Sequence, residues 1–193
     1  FKKIRDRRKG WNSYRKPKQC LLQLSPGERG CAMSHVQAWQ WHAGNDWLCP
    51  LLVLEDDAKP QPGLLTELVG LWNEVPRDAH ILYLGYSRAN KFTNYIGPKL
   101  AKCDYVWTTV AYIVMPGKVK DLLKLLPINE PIDNWLSHHS HEGRLNNYCV
   151  TPKLVYPAKP WEEDSNIVHS DDANPVRGSE QNWNIAGVTS FWA

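Results

Sequence analysis

The chain has 193 residues, 42% hydrophobic and 22% charged, with a net charge of +3. That length supports one sizeable core, so residues 1–193 read as a single domain. No apolar run approaches the roughly 20 residues of a membrane helix, so the expectation is at most peripheral membrane contact; a nucleic-acid partner is, separately, not expected.

The positive charge collects at the start. "FKKIRDRRKGWNSYRKPK" sets many Lys and Arg against a single Asp, and residues 1–20 read as a solvated basic arm. The competing reading is a docking surface for anionic lipid, nucleotide or nucleic acid. The five cysteines, Cys20, Cys31, Cys49, Cys103 and Cys149, form no CxxC pair and are odd in number. A reducing compartment suits them slightly better than one or two bridges in a secretory lumen. Ten tryptophans can fill a core or give sugars and bases a stacking surface.

"LSPGERGCAMSHVQAWQWHAG" carries a helix start, with Ser25 at the N-cap, Pro26 at the first helical position and Glu28 three after the serine. A helix over 26–43 is predicted, ended by Gly44. "LLVL" at 51–54 suits a strand buried on both faces, "GLLTELVGLW" at 63–72 an amphipathic helix, and "HILYLG" at 80–85 the next buried strand. Strand, helix, strand predicts a crossover in a mixed or parallel sheet covered by helices. Residues 86–104 read as a loop or inserted hairpin, 105–115 as a strand, and 116–126 as a helix with Val119, Leu122, Leu123 and Leu126 on one face. A short helix at "IDNWLSHH", a strand at "NYCVT" and an irregular tail over 153–193 complete the chain.

"LLVL" runs directly into Glu55, Asp56 and Asp57. In open α/β sheets ligands bind beyond the carboxyl ends of strands. On an extended chain alternate residues share a side, which lets Glu55 and Asp57 hold one ligand while Asp56 faces elsewhere. A hard divalent cation suits them; a solvated turn is the plainer alternative. On the preceding helix, Glu28, Cys31, His35, Trp39 and His42 follow three- and four-residue spacing and share a stripe. Zinc usually takes four ligands, and no second Cys/His pair has matching spacing. Glu28 by spacing caps Ser25, and His35 either contacts substrate or phosphate or locks helix to sheet.

"LSPGERGCAMSHVQAWQW" followed by "WLCPLLVLEDDAKP" resembles the paired signature of glycosyltransferase family 25, the lipopolysaccharide-type and collagen-type galactosyl- and glucosyltransferases. The likeness continues through "ILYLG", "VAYIVMPGKVKDLLKLLP" and "PIDNWL", covering roughly 22–170. It implies an α/β fold: a GT-A-like, Rossmann-like nucleotide-sugar domain with a mixed, mostly parallel sheet flanked by helices. It also implies inverting transfer of a hexose, galactose first, from a UDP-sugar to a glycan, lipid-linked glycan or glycoprotein, with Mn²⁺ or Mg²⁺ as cofactor. Residue by residue, Glu55 and Asp57 match the metal-holding element, with His169 or Asp171 as candidates to complete the shell. Glu28, Ser34, His35 and Asp56 fall on the donor and substrate side. Asp133 matches the second acidic position, a base or acceptor-hydroxyl ligand, where an ordinary N-cap is the alternative. Two departures bear on this: only "FKKIRDRRKG" stands where the family has a first strand and an Arg-rich turn, and "EEDSNIVHSDD" aligns loosely. The first of these favours the other function class, an inactive glycan- or protein-binding domain of the same fold. The compartment stays open between a cytoplasmic membrane face and the ER/Golgi lumen.

Two further clusters invite other readings. His138, His139 and His141 in "LSHHSHEG" suggest a metallonuclease, although histidines are favourable at a helix end anyway. Arg88, Lys91, Phe92 and Tyr95 in "GYSRANKFTNYIGPK" suggest single-stranded nucleic acid, or more naturally an acceptor loop or plain surface.

Overall fold

The computed structural model of the chain describes residues 24–89, 94–103 and 105–158. The basic arm, Lys91, Phe92, His169 and Asp171 lie outside them. In chain order the elements are α1 (Pro26–Gly44), β1 (Leu51–Leu54), β2 (Ala58–Pro60), α2 (Leu64–Leu71) with a following 3-10 turn (Trp72–Glu74), β3 (Ile81–Gly85) and β4 (Arg88–Ala89). Then come β5 (Leu100–Lys102), β6 (Val106–Trp107), β7 (Ala111–Val114), α3 (Val119–Leu123), α4 (Ile132–His141), β8 (Asn147–Val150) and β9 (Val155–Pro157).

The sequence starts α1 as expected. Ser25 Oγ accepts from the Glu28 amide at 3.2 Å, and Glu28 Oε2 accepts from the Ser25 amide at 2.8 Å, which satisfies two otherwise orphaned donors. Ala32, Val36 and Trp39 then share the buried face of the helix.

Five strands form the main sheet in the order β1-β7-β3-β8-β5. The sheet is mixed, as expected for the class, but three of its four pairings are antiparallel, and only β3 and β8 run parallel. The expected majority of parallel pairs is thereby corrected. The reason lies in β7, which pairs antiparallel with both β1 and β3. The crossover through α2 does leave β1 and β3 pointing the same way, with β7 between them.

Alternation along the strands divides the core in two. Ile81, Tyr83, Tyr112, Val114 and Cys149 pack against α1, α3 and α4 through Trp39, Leu122 and Trp135. Leu82, Leu84, Ile113 and Val150 form the other face with Leu71 of α2. The result is a helix–sheet–helix sandwich. β1 departs from the expected two-sided burial: Leu51 and Val53 pack on the first cluster, while Leu52 and Leu54 each keep 44% exposure. It is an edge strand among the described residues, and α2 covers the neighbouring strands instead.

Other boundaries differ for local reasons. The 105–115 run is split into β6 and β7 by Thr108, which takes φ 65°. Gly117 turns at φ 75° and delays α3 to five residues. The 86–104 segment contributes β4, paired with β6, and β5, paired with β8.

Gly85, at the end of β3, lies against Val155 of β9. A Cβ there would stand 2.7 Å from the Val155 carbonyl oxygen and 3.0 Å from its Cβ. Gly85→Ala is expected to destabilise the fold by about 1–3 kcal/mol, read as a lower urea midpoint with unchanged slope; an unchanged midpoint would contradict this packing.

Candidate functional site

Glu55 follows β1 directly. Its amide donates to the Val110 carbonyl at 3.0 Å, and its Oε1 accepts from Thr109 Oγ1 at 2.5 Å, so the two residues just before β7 hold both ends of the residue. The Ala58 amide then returns to the Glu55 carbonyl at 3.0 Å, which makes Glu55 to Ala58 a tight turn with Asp56 and Asp57 at its centre, both exposed. The same-side placement expected from an extended chain does not apply. What brings these carboxylates together is the turn, pinned by the Ala158 amide on the Asp57 carbonyl at 2.7 Å.

Burial pushes the Glu55 carboxyl above its usual range, and Asp57, Asp133 and Asp56 push it further in that order, against the lowering effect of the Thr109 hydroxyl. Asp57 therefore acts on Glu55 more strongly than Asp56 does. Asp133 lies in the first turn of α4 and is not its N-cap, a position held by Pro131. Its Oδ2 accepts from the Thr108 amide at 3.1 Å and its Oδ1 from the Asn134 amide at 2.8 Å. Adjacent threonines thus hold two carboxylates 78 positions apart in sequence. Thr108 is fixed in turn, since its Oγ1 accepts from the Ser87 amide at 2.9 Å and donates to Ser87 Oγ at 3.1 Å. Lys153 Nζ donates to the Ser87 carbonyl at 3.0 Å and stands 4.9 Å from the Tyr86 ring centre.

The wall behind Glu55 comes from α1. His35 is buried, with Nε2 4.0 Å from Glu55 Oε1 and Nδ1 2.7 Å from Tyr112 Oη. Trp39 Nε1 donates to the same oxygen at 3.1 Å. Tyr112 can donate to Nδ1 or accept from it, so the contact serves either imidazole tautomer. Burial lowers the His35 pKa to about 4. One turn earlier, the half-buried Cys31 thiol is pushed up to about 12, first by burial and then by Glu55, Asp133, Asp56 and Glu28. Asp133 and Asp56 thus act on both Cys31 and Glu55.

The remaining expectations separate cleanly. Glu28 is buried and engaged in the cap. Ser34 is exposed on α1 and donates to the Gly30 carbonyl at 3.1 Å. His138 pairs with Glu130 at 3.0 Å and Glu142 at 3.2 Å, while His139 turns inward onto Trp135, with ring centres 4.3 Å apart. These histidines share a helix, not a strand, and do not converge. Thr108, Thr109, Ser87 and Lys153 were missed; the one signal for the threonines was a polar pair interrupting "YVW" and "VAYIV".

An α/β sandwich with clustered carboxylates at the end of a strand is the arrangement of a GT-A-like transferase domain. The chain belongs to glycosyltransferase family 25: residues 3–136 match the model described as glycosyltransferase family 25 (LPS biosynthesis protein). It is 26% identical over 192 residues to procollagen galactosyltransferase 1 of Danio rerio, covering 88% of this chain and 30% of that protein. A glycosyltransferase 25 family member of Anopheles gambiae is 25% identical over 182 residues, covering 82% and 30% of the two chains. The inactive glycosyltransferase 25 family member 3 of Homo sapiens is 26% identical over 149 residues, covering 71% and 25%. The chain thus spans under a third of the length of these relatives.

His35 gives the site a pH signature. Its folded pKa of about 4 lies below the unfolded value of 6.5, so the unfolded chain binds the proton first as pH falls. Its contribution to stability is intact above pH 6.5 and declines toward pH 4, by on the order of 3 kcal/mol. Urea titrations across this window should show a shallower decline in His35→Gln than in the wild type. Parallel curves would refute the buried neutral imidazole.

Proposed function

We propose that this domain transfers a hexose, galactose in the first instance, from a UDP-sugar to a hydroxyl of a glycan, lipid-linked glycan or glycoprotein acceptor, with inversion. The observation that carries this reading is the convergence of Glu55 and Asp133, held by adjacent residues of one strand break. Family membership supports sugar transfer, and the galactosyltransferase relatives support the sugar.

The donor set of Glu55 and Asp57 is all carboxylate oxygen, which fits a hard cation bound to phosphate. Mn²⁺ or Mg²⁺ held there would supply positive charge that stabilises the departing diphosphate. Asp133 takes the proton of the acceptor hydroxyl as that oxygen attacks the anomeric carbon. The bond from carbon to the β-phosphate oxygen breaks on the opposite face, and its electron pair leaves with UDP. Amides from Thr108 and Asn134 hold the Asp133 carboxylate in place for that proton transfer. Asp56, exposed in the same turn, is left to the donor.

A second reading keeps the fold without turnover, as a glycan- or protein-binding domain. Relatives named "inactive" in Homo sapiens and "probable inactive" in Bos taurus favour it.

Calorimetry with UDP, with and without Mn²⁺, separates these. Binding is expected to need the metal and to be lost in Asp57→Asn; no binding at millimolar UDP would reject the transferase reading. Asp133→Asn should keep donor binding and lose roughly 10²–10⁴-fold in turnover, whereas unchanged turnover would remove Asp133 as the base.

A further inference from the structure

Cys31 Sγ, a ring nitrogen of His35 and a carboxylate oxygen of Glu55 all lie within 4.8 Å of one another. Helix spacing alone offers too few ligands for zinc; the sheet supplies the third. We propose that Cys31, His35 and Glu55 form a metal site for a thiophilic divalent cation of the zinc type, different in chemistry from the all-oxygen pair of Glu55 and Asp57.

Sulfur, imidazole and carboxylate are the three ligand types zinc uses, and a borderline-soft ion selects this set where Mg²⁺ and Mn²⁺ favour oxygen. Zinc bond lengths place tetrahedral ligand atoms roughly 3.3–3.8 Å apart. The trio must therefore close by about 1 Å, within reach of side-chain rotation. Two ligands already have orienting partners: Tyr112 Oη at His35 Nδ1, and Thr109 at Glu55. With Nε2 on the metal, Nδ1 keeps its hydrogen and donates a hydrogen bond to Tyr112 Oη. The charges acting on the Cys31 thiol are all carboxylates, Glu55, Asp133, Asp56 and Glu28, so the site has negative potential for a cation to satisfy. On binding, the thiol releases its proton to solvent and the sulfur lone pair forms the metal bond. No oxidant is required.

Glu55 is common to both arrangements, so a thiophilic ion there competes with the hard cation of the sugar-nucleotide site. This consequence rests on the proposed function; the site itself does not.

Co²⁺ is the probe, because thiolate ligation gives it a near-ultraviolet charge-transfer band. The full chain, kept reduced without oxygen, is expected to show that band with one equivalent of Co²⁺ and to lose it when Zn²⁺ is added. Cys31→Ser should abolish the band, and His35→Gln should weaken Co²⁺ binding at least tenfold. Asp57→Asn should keep it. No band at millimolar Co²⁺, or a band that persists in Cys31→Ser, overturns the proposal. Where Cys31→Ser does not fold, X-ray absorption of the wild-type zinc complex decides: one sulfur ligand supports the site and none overturns it. Failure of Mn²⁺-dependent UDP binding with the band present would reject the transferase reading alone.

Discussion

Removing Glu55 partly from water, with Asp56, Asp57 and Asp133 acting on it, raises the energy of its charged form. An uncompensated buried carboxylate would neutralise or pull the chain apart. The fold compensates locally, with the Thr109 hydroxyl on one oxygen and the Glu55 amide tied to Val110. Behind it, the contacts among Trp39, Tyr112 and His35 give buried polar atoms partners without adding a like charge. The buried face of α1, β1 and the start of β7 are therefore joined by the requirement to keep one carboxylate in place.

The same requirement accounts for the break between β6 and β7. A β-branched residue at φ 65° is costly, on the order of 1–3 kcal/mol, and persists where its surroundings fix it. Thr108 is fixed on three sides, by two contacts with Ser87 and by Asp133. A continuous strand through 105–115 would point Thr108 and Thr109 to opposite faces. With the break, one supports the acid from α4 and the other the acid that follows β1.

Local signals were legible where the chemistry is local. The cap at Ser25, the buried stripe of α1 and the alternating core of β3 and β7 can be read from spacing, because propensity, capping and burial agree there. The carboxylate run was legible as a site, but not its shape: a strand end and a tight turn both place acids after "LLVL", and only the Ala58 amide decides between them. Strand direction was not legible either. "LLVL" and "AYIV" each suit any pairing, and insertion of β7 between β1 and β3 depends on contacts far apart in sequence, from Leu51 with Val114 to Leu54 with Ala111. Thr109 escaped for the same reason, since nothing near it in sequence announces a partner at Glu55.

The division between scaffold and chemistry also bears on why one fold can serve with and without turnover. Trp39, Tyr112, Ile81 and Trp135 hold the layers together and are buried. Asp56 and Asp57 are exposed and contribute like-charge repulsion to Glu55, so replacing them removes repulsion and leaves the core intact. Thr109 holds the half-buried Glu55, with His35 packed behind it, whether or not a donor ever binds. Loss of the exposed acids therefore costs little stability, whereas loss of the buried hydrogen-bonded residues costs a great deal. Selection on folding alone would preserve α1 and the threonine pair while leaving the turn free to change. A descendant that no longer transfers sugar can thus keep nearly everything by which the family is recognised.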